Sequence, residues 1–317
     1  MGALHLIDDL APPSPAGEPC VLVIGNFDGV HKGHAAVLRE AVAVARSRSL
    51  RTSVLTFDPH PVTIVGLGAP ALLTTLERRA QLMADLGVET VWVRRFDAAF
   101  AGWAPERFVR ELVTGMLAAR VVVVGDNFRF GARRGGDLAA LRSMGEQLGF
   151  EVRVHAIASD ARGPYSSTRA REAIAAGDLD EAAQVLGRAH ELSGPVVKGD
   201  QRGRTLGFPT ANLEPVAEML PPDGVYATRV DQIGDDGDAR PLGGGVTNIG
   251  IRPTIAERGG LRTIETFVFD FSGDLYGSRL RLHLVARLRG EKKFAGLPEL
   301  RAQIAADSAA ARGKLGM

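Results

Sequence analysis

The sequence predicts two domains in tandem. Residues 1–187 read as an α/β Rossmann-like domain, and residues 188–317 as a small antiparallel β-barrel closed by a C-terminal helix. Three observations carry this. A chain of 317 residues is long for a single core. Up to Gly187, apolar β-branched runs alternate with amphipathic stretches, the pattern of right-handed crossovers and a mostly parallel sheet. Beyond it, short apolar runs follow one another directly, separated by Gly, Pro and Asp.

In order, the first strand is Cys20 to Ile24, an unbroken apolar run that suits a strand buried on both faces, and a helix follows over residues 35–45. Strands are expected over 52–57, 90–93, 120–124 and 152–157, with helices over 76–86, 105–117 and 137–148 between them. The barrel strands fall at 192–197, 224–230, 244–250, 263–271 and 280–288, and a helix over 297–312 ends the chain. The acidic, glycine-bearing stretch 231–240 reads as a solvated hairpin loop.

Composition narrows the class of partner. Hydrophobic residues at 45% and charged residues at 24% describe a globular protein, and a net charge of +1 offers no electrostatic case for a nucleic-acid or membrane surface. Any phosphate site must therefore be local. The single cysteine, Cys20, forms no internal disulfide and reads as a packed, reduced thiol, which fits the cytoplasm. No apolar run approaches the ~20 residues that span a bilayer, and Asp8 and Asp9 stand where a signal peptide would be basic. The oligomeric state is left open.

Between the first strand and helix lies Gly25-Asn26-Phe27-Asp28-Gly29-Val30-His31-Lys32-Gly33-His34. A strand-to-helix turn in an open α/β sheet lies where ligands bind, and the exposed helix amides favour an anion. His31 and His34 are three apart, so their imidazoles share one side of the turn, and Gly33 has no side chain to hold a phosphate away. Paired imidazoles there could stabilise charge on a transferring phosphorus.

Other strand ends add to this. Thr56-Phe57-Asp58-Pro59-His60-Pro61 ends the second strand, either as a proline-fixed turn or as a loop lining the cleft. Gly125-Asp126-Asn127-Phe128-Arg129-Phe130-Gly131 sets two aromatics, which can sandwich a planar ring, beside the polar groups of Asp126 and Asn127. Ser166-Ser167-Thr168-Arg169-Ala170-Arg171 opens a helix with hydroxyls, free amides and Arg171, a set able to hold phosphates.

In the second half, Lys198-Gly199 leads through Gly203 and Gly207 to Pro209-Thr210-Ala211-Asn212. Glycines let backbone amides close around phosphate, and the oxygens of Thr210 and Asn212, two apart on an extended chain, project together as hard ligands suited to Mg²⁺. Glu265 alternates onto one face with Phe267 and Phe269, where desolvation would raise its pKa and make it a general base; a salt-bridged carboxylate at the sheet edge is the plainer reading.

The Gly25–His34 string resembles the signature of the nucleotidyltransferase superfamily, whose core is His-x-Gly-His, in the form found in bacterial bifunctional riboflavin kinase/FAD synthetases. The Gly125, Ser166, Pro209 and Glu265 strings match that family too, as do Asp270 to Gly277 and Leu288 to Phe294. The resemblance covers residues 20–312. It implies an N-terminal FMN adenylyltransferase in which His31 and His34 act on ATP. Gly25, Asn26, Phe27, Asp28, Gly33, Ser167, Thr168 and Arg171 would bind that ATP, and Asp126, Asn127 and Phe128 the flavin. It implies a C-terminal riboflavin kinase with Glu265 as base and Mg²⁺ at Thr210 and Asn212. There ATP would lie on Lys198, Gly199, Gly203 and Gly207, under a flap carrying Arg289 and Phe294. Riboflavin, FMN and ATP would be the substrates.

Departures are few. Tyr165 stands where an aliphatic residue is commoner, Ile251 where threonine is usual, and Arg188-Ala189-His190 replaces Arg-Pro-aromatic. Ile251 could remove a hydrogen bond near the kinase site, so alternatives remain: an adenylyltransferase with an impaired kinase half, or a flavin-binding regulatory paralogue without turnover. An RNA-binding barrel is disfavoured by the near-zero charge.

Overall fold

A computed structural model describes residues 3–7, 18–64, 66, 68–199, 208–251 and 262–317. The chain forms two compact units: Met1–Pro70 with Thr75–Ser166, and Ala71–Thr74 with Ser167–Met317. The helices Ser167–Ala176 and Leu179–Leu186, which sequence alternation groups with the first domain, belong to the second unit.

The first unit is built on a wholly parallel six-stranded sheet. Its strands are β1 (Ala3–Ile7), β2 (Cys20–Ile24), β3 (Arg51–Asp58), β4 (Thr90–Arg95), β5 (Ala119–Gly125) and β6 (Glu151–His155), in the order β1-β4-β3-β2-β5-β6. Strand β1 was not foreseen from the sequence. The apolar run of β2 is continuous because alternate residues enter two different cores. Cys20, Leu22 and Ile24 pack with Phe108, Leu112 and Leu141, whereas Val21 and Val23 pack with Leu38, Ala41 and Met83. Burying each such side chain contributes about 1.5–3 kcal/mol. The chain leaves β2 toward β3 on one side and returns to β5 on the other, so the β2–β5 boundary is the topological switch point.

Two local readings change. The first helix runs Lys32–Arg48, starting before residue 35, because the His31 ring caps it: Nδ1 accepts the His34 N–H at 3.3 Å. The helix expected over 105–117 is a short turn, Pro105–Arg107, followed by a wider π-helix, Phe108–Met116, in which the Leu117 N–H reaches back five residues to the Leu112 carbonyl at 2.9 Å. A two-stranded hairpin, β7 (Ser159–Asp160) with β8 (Gly163–Pro164), ends the unit.

The second unit is a closed antiparallel barrel of β9 (His190–Val197), β10 (Thr210–Leu213), β11 (Gly224–Ile233), β12 (Ala239–Ile251), β13 (Arg262–Val268) and β14 (Arg279–Arg289), ordered β10-β13-β12-β11-β14-β9. Leu192, Tyr226, Ile249, Ile264, Leu280 and Leu282 fill it. The helix Leu297–Leu315 covers an outer patch, setting Ala311 and Leu315 on Val225, Ala227, Val246 and Phe269. The expected loop over 231–240 shrinks to a tight turn, since β11 runs to Ile233 and β12 begins at Ala239; the Gly234 N–H donates to the Asp238 carbonyl at 2.9 Å. Strand β13 stops at Val268, short of residue 271, and Asp270 turns the chain at φ 55°.

Candidate active sites

In the first unit, the Gly25–His34 turn follows β2 at the switch point, between the loops that end β3 and β5. The two imidazoles are stacked, ring centres 3.6 Å apart, and the Phe27 ring meets His34 edge-on at 5.0 Å. Because His31 Nδ1 accepts a hydrogen bond, the proton of a neutral His31 lies on Nε2. Burial, then the neighbouring His31 and Arg79, hold the pKa of His34 well below 6.5, so its ring is neutral. Among the described residues its buried Nδ1 has no hydrogen-bond partner, a place an incoming ligand atom would fill. Gly33 is needed for closeness: a Cβ there would lie 3.1 Å from the His31 ring and 3.1 Å from the Tyr165 carbonyl oxygen. Lys32 Nζ lies 5.5 Å from the centre of the Tyr165 ring.

Asp28, expected among the ATP-contacting side chains, is 1% exposed and ion-paired with Arg79 at 3.3 Å. Arg79 was missed by the sequence reading, since it lies on the helix Leu76–Asp85, far along the chain. Its guanidinium also donates to the Asn26 carbonyl at 3.0 Å, as does Thr56 Oγ1 at 3.0 Å, while Asn26 Nδ2 lies 3.0 Å from His60 Nε2. The Thr56–Pro61 segment thus braces the first turn rather than standing apart from it. Gly25 is packed too, a Cβ there falling 3.1 Å from the Phe27 ring.

Asp126 and Asn127 are exposed at the end of β5. Phe128 and Phe130 do not form a slot for a ring between them: they stack on each other at 5.5 Å and 18°, and Phe130 is buried against Phe108. Only Phe128, half-buried, keeps a face for a ligand. Cys20 is a packed thiol, its Sγ donating to the Leu117 carbonyl at 3.2 Å, and burial pushes its pKa up to about 11.

Ser167, Thr168 and Arg171 lie on the opening turns of the helix Ser167–Ala176, in the second unit. Arg171 Nε donates to the Ala71 carbonyl at 2.7 Å, tying the segment Ala71–Thr74 to that helix. Nearby, His190 Nε2 lies 2.7 Å from the Met219 carbonyl, so the unusual Arg188-Ala189-His190 stretch is used in packing.

In the barrel, Glu265 on β13 stands directly opposite Asn212 on β10, and Thr210 opposite Phe267. Glu265 is half-buried on the outer face with Thr263 and Phe267, while Ile264, Thr266 and Val268 point inward. Asn212 is buried against Gly199, where a Cβ would meet Asn212 Cγ at 2.7 Å. Thr210 Oγ1 makes no hydrogen bond among the described residues. Thr210 and Asn212 offer the oxygen atoms a hard cation takes, and among the described residues no trio of His, Cys, Asp or Glu competes for it. A pocket lined by Val196, Thr210, Ala211, Thr266, Asp274 and Tyr276 opens at this end, with Lys198 Nζ 6.0 Å from the centre of the Tyr276 ring. Gly203 and Gly207 lie outside the described residues.

Arg289 is held by Asp307 of the C-terminal helix, with bonds of 2.7, 3.1 and 3.1 Å, and stands 5.8 Å from the centre of the Phe294 ring. Ile251 is 47% exposed and, by alternation with Asn248 and Gly250, lies on the opposite face of β12 from the strand positions beside Glu265.

A parallel-sheet unit with a histidine-bearing turn at its switch point, joined to a barrel with a carboxylate beside an amide, defines a nucleotide-dependent transferase of two parts. Residues 14–169 match the FAD synthetase family and residues 186–315 the riboflavin kinase family. A bifunctional riboflavin kinase/FMN adenylyltransferase of Escherichia coli (strain K12) is 41% identical over 302 residues, covering 95% of this chain and 94% of its own. One of the same description from Bacillus subtilis (strain 168) is 34% identical over 292 residues, with 90% of each chain covered. A crystal structure described as a macrolide-efflux protein from Streptococcus pneumoniae superposes with a TM-score of 0.84 at 28% identity over 98% of both chains. This chain belongs to the bifunctional riboflavin kinase/FMN adenylyltransferase family.

Proposed function

We propose that the chain makes FAD from riboflavin in two steps, one in each unit. In the barrel, Glu265 accepts the proton of the ribityl 5′-hydroxyl as that oxygen attacks the γ-phosphorus of ATP; the bond to the ADP oxygen breaks, leaving FMN and ADP. Thr210 and Asn212 would hold Mg²⁺, which when bound neutralises phosphate charge. Lys198 and Gly199 meet the nucleotide, and Arg289 with Phe294 covers it. In the first unit the FMN phosphate attacks the α-phosphorus of a second ATP and pyrophosphate leaves. That nucleophile is already anionic, so no strong base is required. His31, the neutral His34 and the amides of the helix that follows them work by position and charge. Asp126, Asn127 and Phe128 receive the flavin.

The observation that carries the reading is Glu265 set opposite Asn212, at half-burial, in a chain 41% identical over 95% of its length to an enzyme of that description. An efflux role is not taken over from the Streptococcus structure: among the described residues no helix is long and apolar enough to cross a membrane. The reduced, buried Cys20 fits the cytoplasm. The test is chromatographic: purified chain with riboflavin, ATP and Mg²⁺, flavins separated over time. FMN appearing transiently before FAD is the expected result; no turnover of riboflavin or added FMN would overturn it in favour of a binding protein.

A further inference from the structure

Strand register places a third polar side chain in line with Glu265. Glu265 pairs with Asn212 of β10 on one side and with Asn248 of β12 on the other, so Asn212, Glu265 and Asn248 form one row across three adjacent strands, on the outer face. The row on one side, Thr210, Phe267 and Val246, is mostly apolar. On the other side stand Thr263 and Gly250, and the missing side chain at Gly250 is what admits the Glu291 carboxylate, which a Cβ there would strike. Asn248 Nδ2 lies 3.6 Å from that same Cβ position.

Asn248 is half-buried, yet its side-chain amide makes no hydrogen bond among the described residues. An amide in this row offers both a donor and an acceptor in one plane, the pairing that suits hydroxyl groups on a sugar-alcohol chain. Adjacent strands stand about 5 Å apart, a span that matches the reach from a terminal hydroxyl to the one two carbons back. Resting on the assignment of Glu265 as base, we propose that Asn248 binds the 3′-hydroxyl of the ribityl chain and so aims the 5′-hydroxyl at Glu265.

The test uses the full-length chain. Asn248→Ala and Asn248→Ser are assayed for FMN formation with riboflavin and with 3′-deoxyriboflavin, and for conversion of added FMN to FAD. The expected result for Asn248→Ala is a roughly 10- to 100-fold fall in kcat/KM for riboflavin, with the KM for ATP within about twofold and FAD formation from FMN unchanged. Because the lost partner is absent from the 3′-deoxy substrate, Asn248→Ala should change its kcat/KM by no more than about twofold. Asn248→Ser, which keeps a hydroxyl, should recover part of the loss on riboflavin. An equal fall on both flavins, or unchanged kinetics, overturns the assignment. Should Asn248→Ala misfold, Asn248→Ser carries the comparison of the two flavins. Absence of FMN formation by the parent chain would instead refute the kinase reading itself.

Discussion

Removing the Arg79 guanidinium should unravel the first turn from behind. Asp28 is 1% exposed and Arg79 side-chain exposure is 7%, so Arg79→Leu removes the ion-pair partner of a buried carboxylate, at a cost of about 3–5 kcal/mol. The Asn26 carbonyl also loses one donor but keeps Thr56 Oγ1 at 3.0 Å, so that part adds no more than roughly 1 kcal/mol. Combining Asp28→Asn with Arg79→Leu removes both charges and should recover about 1–3 kcal/mol of the loss. Both tryptophans, Trp92 and Trp103, lie in the first unit, so urea unfolding followed by tryptophan fluorescence reads that unit alone. FMN adenylylation gives a second readout, since displacing the turn by an ångström costs on the order of 100-fold in rate. A loss under about 1 kcal/mol for Arg79→Leu, with nothing recovered in the double variant, would refute the reasoning, because the carboxylate would then be hydrated.

Three further outcomes are expected. Glu265→Gln should lower FMN formation by about 100-fold or more while added FMN is still converted to FAD; parallel loss of both activities in the flavin assay would sink the two-site division. Gly33→Ala should slow adenylylation at least about tenfold and leave the kinase untouched, because the new methyl group crowds the His31 ring and the rigid Tyr165 carbonyl at 3.1 Å. For His34, the folded pKa is depressed below 6.5, so below pH 6.5 the unfolded chain binds a proton that the folded chain refuses. The first unit should therefore lose stability as the pH falls from 6.5 toward the folded pKa and gain nothing further above 6.5. Fluorescence-detected unfolding at a series of pH values checks this, and His34→Asn should flatten the fall.

Much of this chain is legible locally. Alternating apolar runs announced the parallel sheet, and the directly successive short runs announced the barrel, because burial on one or two faces is written into the side-chain period. The chemical strings were legible for a related reason: His31, Gly33 and His34 lie within one turn, and Thr210 and Asn212 within one strand. Sequence did not reveal that Phe130 belongs to the core and stacks on Phe128, since ring packing depends on Phe108, which lies on the separate π-helix Phe108–Met116.

What the sequence by itself determined is the fold class of each half and the family of the site-bearing loops, since periodicity and short-range motifs are properties of contiguous residues. Tertiary structure alone decided that Asp28 is a buried ion-pair partner, that Arg79 and Thr56 hold the Asn26 carbonyl, and that Asn248 shares a row with Glu265. Strand β10 closes the barrel and sets Asn212 beside Glu265 by register. The physical reason is that pairing across strands and burial of charge depend on which distant segments meet, and no local pattern records the partner.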